Sequence, residues 1–251
     1  MKNSIFTSLA ISILCAIPML VVSADKVVPG AADKSKKPYS QAGKLFGIKK
    51  VDGADVYIPL CSAQYAGSAD VLLTAAHCIA GRKPNEIFYV HGHTKKTKIK
   101  PVEKGTVKCM AAHSEYTGAS LNDIAFLKMK KEGGVGAIVI GSGVTENEAV
   151  SAFGYPSNFE DGNELLVVHG KRIKSPVFPD VQLMLGNSFD KGSSGGAWVN
   201  GKKNIVGLNA KVVGVPNGSD ETDNMMESPV FGANSNALFK YVNAGCSGDK
   251  P

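Results

Sequence analysis

From Leu45 onward, short apolar runs alternate with clusters of Gly, Asn, Asp and Pro. The runs read as strands are Val56–Leu60, Val71–Thr74, Ile87–His91, Thr106–Met110, Ile124–Met129, Ala149–Gly154, Leu165–Ile173, Gln182–Leu185, Gly196–Val199, Ile205–Ala210 and Val230–Phe231. Their lengths and the turn signals between them predict an all-β protein, a sandwich or a pair of barrels. One segment, Asn236–Ala244, has helical spacing, with Leu238, Tyr241 and Val242 on one face and Gly245 as a stop. No internal repeat is visible, and no linker divides the chain.

Two stretches precede this pattern. Residues 25–45 are rich in Lys, Ala, Ser, Gly and Pro, lack periodicity, and read as a leader or propeptide. In residues 1–24, Lys2 is the only charge and Ile5–Val22 is apolar apart from Thr7, Ser8 and Ser12. The stretch closes on the small-x-small signature Val22-Ser23-Ala24, which predicts a secretory signal peptide rather than an uncleaved anchor. Leu14 before Cys15 argues against a lipid anchor.

The whole chain has 251 residues, a net charge of +6, 43% hydrophobic residues and 20% charged ones, which suits a globular protein with a sizeable core. Without the signal it keeps four cysteines, Cys61, Cys78, Cys109 and Cys246. In a secreted chain an even count predicts two disulfides, with three pairings open. Their spacing matches no common zinc site, and His91-Gly92-His93 has no third ligand nearby, so no metal is expected. The lysine doublets (Lys49-Lys50, Lys95-Lys96, Lys130-Lys131, Lys202-Lys203) lack interleaved aromatics and read as solvated surface, not a nucleic-acid footprint. His113 and His169 have no motif around them, and the acidic stretch Asp220–Asp223 reads as a solvated loop.

Three stretches carry candidate chemistry. In Gly192-Ser193-Ser194-Gly195-Gly196, before Ala197 and the single tryptophan Trp198, no side chain exceeds a hydroxymethyl group. Such glycine density marks backbone that turns tightly or admits another molecule, and it can hold a serine hydroxyl beside free N–H groups. Leu72-Leu73-Thr74-Ala75-Ala76-His77-Cys78 runs an apolar strand into a histidine whose small neighbours leave its ring accessible. In Asn122-Asp123-Ile124, an aspartate enters an apolar strand, where its charge needs a partner. Each alone is as readily a turn, a structural histidine or a strand-start acid.

Together they run His, Asp, Ser, the order of the chymotrypsin arrangement. On these motifs the chain, from about Val56 to Val242, resembles the chymotrypsin-like (trypsin-fold) serine endopeptidases. The resemblance implies two six-stranded antiparallel β-barrels, about 46–135 and 136–235, with the active site between them and a C-terminal helix. It implies Ser194 as nucleophile, His77 as general base and acid, and Asp123 as the group orienting the imidazole. The N–H groups of Gly192 and Ser194 would form the oxyanion hole. Ser194 is preferred to Ser193 because two glycines must follow the attacking serine. The family disulfide bracing the histidine loop corresponds to Cys61–Cys78, which leaves Cys109 and Cys246 for a second bridge.

The departures bear on specificity. Where trypsin-type zymogens carry an aspartate before the nucleophile, this chain has Ser193, and the leader lacks Ile-Val-Gly-Gly, so activation by a buried N-terminal ammonium is not expected. Phe153-Gly154-Tyr155-Pro156 and Gly214-Val215-Pro216-Asn217 resemble the bacterial glutamyl endopeptidase branch. That branch binds the substrate carboxylate with a histidine, whereas Asn209 stands here. At the position implied for the pocket floor is Ser188, beside Phe189, which together imply a preference for small or medium apolar side chains; Asp190 is the nearby complication. The expected protein is a secreted, monomeric, cofactor-free and metal-free endopeptidase acting on proteins or peptides, without nucleic-acid or lasting membrane partners. The rival readings are a non-catalytic binding module on the same fold and an esterase using the same triad.

Overall fold

A computed structural model describes residues 27–118, 120–212 and 225–251. The predicted signal peptide, Gly214–Asn217 and the acidic stretch 220–223 lie outside the described residues.

Alternating short strands build two curled antiparallel sheets. The first orders β5 (Ile87–His91), β2 (Ala42–Val51), β3 (Ala54–Tyr65), β4 (Val71–Thr74), β7 (Ala125–Met129) and β6 (Val107–Ala112). A bridge between Phe88 and Thr106 brings its two edges together. The second orders β12 (Ile205–Leu208), β11 (Ala197–Asn200), β8 (Glu148–Gly154), β9 (Leu166–Lys174), β10 (Val181–Leu185), β14 (Met225–Pro229) and β13 (Lys211–Val212). Its edge β1 (Gly30–Ala31) joins β9, and the N–H of Ala210 donates to Glu227 O at 3.0 Å where the sheet curls back. Curling lets each strand bury one face and leaves few open edges. This is the chymotrypsin-like fold that the motifs implied.

Aromatic and branched side chains fill the two interiors. Leu45, Tyr65, Leu72, Tyr89, Phe126 and Leu127 are buried in the first, and Val150, Val168, Met184, Phe189, Trp198 and Met226 in the second. Between the barrels the connector runs alongside both: Ile138 N–H donates to Tyr65 O at 3.0 Å, and Gly141 N–H to Ile205 O at 2.7 Å. Helix α1 (Ala233–Asn243) then returns to the first barrel, where Phe239 packs edge-on against Phe126 and the Cys109–Cys246 disulfide fixes the end of the chain. The second disulfide joins Cys61 to Cys78. No described helix is long and apolar enough to cross a membrane.

Four elements differ from the sequence pattern. β1 and the start of β2 fall within residues 25–45, where no strand was expected. Gly43, Gly47 and the buried Lys44 break the apolar alternation of β2, yet β2 pairs with β3 on one side and β5 on the other. Val230–Phe231 is not a strand; the pairing lies just before it, in β14, whose Ser228 is fully buried. The helix begins at Ala233, three residues earlier than expected, with Ser235 capping the N–H of Gly232 at 2.9 Å.

Candidate active site

β4 and β7 pair with Thr74 opposite Ala125. That register sets the end of one strand beside the start of the other, so His77 just past Thr74 meets Asp123 just before Ala125. His77 sits in a single 3-10 turn, Ala76–Cys78, behind the fully buried Ala75 and Ala76. Its backbone N–H donates to Asp123 Oδ1 at 2.9 Å, and its ring Nδ1–H donates to Oδ2 at 2.8 Å. Asp123 is only 3% exposed, so these two bonds provide the partners its charge requires. Asn122, at φ +59°, makes the left-handed turn that aims the aspartate, a conformation asparagine tolerates.

Ser194 lies in the loop before β11. There the Ser193 hydroxyl points inward and donates to Asp190 O at 2.7 Å. The N–H groups of Ser193, Gly195 and Gly196 donate to Asp190, Asn209 and Ser193 carbonyls respectively. Those of Gly192 and Ser194 have no acceptor among the described residues. Gly192 and Gly195 adopt φ of +84° and +79°. A Cβ on Gly192 would stand 2.7 Å from Tyr155 O, and one on Gly195 would overlap Thr74 Oγ1 and Ser62 O. The loop is built of small residues because neighbouring strands press on its backbone.

The loop belongs to the second barrel but docks on the first. Ser62 N–H donates to Ser194 O at 2.8 Å, and Ser62 Oγ donates to Gly192 O at 2.9 Å while accepting from Tyr155 N–H. Gln64 Nε2 donates to Gly195 O at 3.0 Å and to Leu73 O at 3.1 Å. Neither Ser62 nor Gln64 stands out in the sequence. As alternate polar positions of β3 they look solvent-facing, yet both are buried against the other barrel.

His77, Gly192 and Ser194 line one groove of about 320 Å³, together with the Cys61–Cys78 disulfide, Pro59 and Leu60. Leu60 is the extra residue of a bulge where the β2–β3 register shifts between Leu45 and Phe46. No hydrogen bond joins Ser194 to His77 among the described residues; catalytic contacts of this kind are often long before substrate binds. The Sγ atoms of Cys61 and Cys78 lie near the His77 ring, but the disulfide removes the thiolates a metal would need.

The remaining predicted residues sit behind the loop. Ser188 is buried, with its carbonyl held by Asn158 Nδ2 at 2.9 Å and its hydroxyl unpartnered among the described residues. Phe189 packs inside the second barrel with Trp198, while Asp190 is exposed. The Asn209 amide is fully occupied by the protein. Its Oδ1 accepts from Trp198 Nε1 at 2.7 Å and Asn187 Nδ2 at 2.9 Å, and its Nδ2 donates to Ser193 O and Phe153 O.

Two curled sheets, with a histidine–aspartate pair from one facing a glycine-flanked serine from the other, define the chymotrypsin-type class. The trypsin family model matches residues 54–238, and the chain belongs to that family. A comparison with curated protein sequences finds no match. Among solved structures, the protease Anisep from Arthrobacter nicotinovorans is 22% identical, with a TM-score of 0.64, covering 88% of this chain and 100% of its own. A Glu endopeptidase is 18% identical, with a TM-score of 0.64 and coverage of 90% and 100%. An inactivated protease paralogue of the scabies mite is 16% identical, with a TM-score of 0.68 and coverage of 89% and 100%. Fold is thus shared by active and inactivated relatives, and activity must be argued from the residues.

Proposed function

We propose that this protein is a secreted serine endopeptidase that hydrolyses peptide bonds through an acyl-enzyme. The observation that carries the reading is the doubly bonded His77–Asp123 pair opening onto the groove of Ser194, beside two N–H groups without acceptors among the described residues. His77 Nε2 accepts the Ser194 proton as Oγ attacks the substrate carbonyl. The resulting oxyanion takes hydrogen bonds from the N–H groups of Gly192 and Ser194, a stabilisation that appears only as charge develops. The imidazolium, held by Asp123, then protonates the leaving amine as the C–N bond breaks. Water, deprotonated by the same imidazole, attacks the ester and releases the acid and free Ser194. No step calls for a cofactor.

Because Ser193 turns its hydroxyl inward, a fluorophosphonate probe is expected to label the mature protein and Ser193→Ala, but not Ser194→Ala. Absence of labelling in folded protein would favour the binding module. Loss of His77 or Ser194 is expected to lower kcat by about 10⁶, and Asp123→Asn by about 10⁴. Peptide against ester substrates separate the endopeptidase from the esterase reading.

Ser188 at the expected pocket floor and the occupied Asn209 amide support cleavage after small or medium apolar residues, not after Arg, Lys or Glu. A peptide library cut mainly after a charged residue would overturn that preference. Two disulfides support an oxidising, extracytoplasmic destination.

A further inference from the structure

The groove beside Ser194 carries two cations, Arg82 and Lys191, and no carboxylate among the described residues lines it. Neither cation is ion-paired among the described residues. Both are held by backbone that belongs to the reacting groups. Arg82 closes the turn that begins at Ile79, directly after the 3-10 turn of His77, its N–H donating to Ile79 O at 3.1 Å. Its guanidinium lies over Gly47, where a Cβ would come within 3.0 Å of Nη1. Lys191 directly precedes Gly192, and its carbonyl accepts from Ser157 N–H at 2.7 Å. The backbone of both residues is therefore fixed beside the groove, and their side chains line it.

Chemistry decides which half of a substrate enters this groove. The imidazole must deliver its proton to the departing nitrogen, so the departing segment lies on the His77 side of Ser194. The wall on that side is the disulfide that includes Cys78, the residue after His77. We infer that Arg82 and Lys191 select acidic side chains in the first positions after the scissile bond. This rests on the endopeptidase reading and adds a substrate class to it: peptides with an apolar residue before the cut and Asp or Glu shortly after it.

Exposed ion pairs contribute little singly, so the selectivity expected is modest, about tenfold in kcat/KM for Glu over Lys across the two sites. It should fall to a few-fold in 1 M salt, where the Debye length is about 3 Å. The test uses quenched fluorescent peptides identical before the scissile bond and carrying Glu, Gln or Lys in the two positions after it. Wild type should rank Glu above Gln above Lys, Lys191→Glu should flatten the series, and Arg82→Glu/Lys191→Glu should invert it. Lys191 is exposed, so its single variant remains informative if the double variant folds poorly. Equal rates on the three peptides with fluorophosphonate labelling of Ser194 intact would overturn the inference and leave the endopeptidase reading standing. Loss of labelling and of all cleavage would overturn both.

Discussion

Asn209 holds together the loop that presents Ser194, through its amide with Trp198, Asn187, Ser193 and Phe153 and through its backbone with Gly195 and Gly196. Removing that amide takes the acceptor from the buried Trp198 Nε1 and Asn187 Nδ2 and a donor from the Ser193 and Phe153 carbonyls. Asn209→Ala is expected to cost about 2–4 kcal/mol, read as a shift in the urea midpoint, and to lower activity at permissive temperature. His93 is the opposite case, a buried imidazole with one ring nitrogen unpartnered among the described residues and the other 3.5 Å from Asn163 Oδ1. Burial, reinforced by the nearby Lys44, holds its pKa below the ordinary 6.5. The unfolded chain then binds more protons than the folded one between that lowered value and 6.5, so stability falls as pH drops through this window. In urea titrations from pH 7 to 5, His93→Gln should show a shallower loss than wild type; equal slopes would remove His93 from the acid response. At this scale His77, Asp123 and Ser194 were legible because each is embedded in a motif with local logic. Ser62 and Gln64 were not, because a polar residue facing another barrel has the same spacing as one facing water.

Among elements, β2 was the least legible. Its Gly43 exists because a Cβ would stand 2.5 Å from both the Tyr89 ring and Val90 O, and its Lys44 is buried with Nζ donating to Gly162 O at 2.5 Å. Close approach and a buried amine both erase the alternation that marks a strand. The element has a consequence for maturation. Ala42 already pairs with Gln64, so any processing that leaves the first barrel whole must cut before Ala42. N-terminal sequencing of the purified mature protein should find a start at or upstream of that residue. β14 escaped notice for a related reason: Met225-Met-Glu-Ser-Pro229 lacks strand-like residues, and its pairing with β10 supplies what its composition does not.

For the whole molecule, the barrels meet through Ser62 and Gln64, the connector at Ile138–Gly141, and α1. Sequence indicated two barrels and the cleft between them through the family motifs. It did not indicate what clamps them, since such contacts join residues far apart in the chain, 130 positions for Ser62 with Gly192 and 131 for Gln64 with Gly195. Ser62→Ala removes the donor to Gly192 O and the acceptor of Tyr155 N–H. It should cost about 1–3 kcal/mol and lower kcat more than it raises KM, because it loosens the loop that carries the proposed oxyanion donors. Unchanged kcat would mean that the loop is held by its own barrel alone.

The Cys109–Cys246 bond encloses Asp123, Ser194 and every second-barrel strand from β8 to β14 in one covalent ring. With the endopeptidase activity proposed above, each molecule also meets its own copies as substrates. A single self-inflicted nick anywhere inside that ring leaves every piece tethered, so damaged molecules should migrate at full size until a thiol reductant releases the fragments.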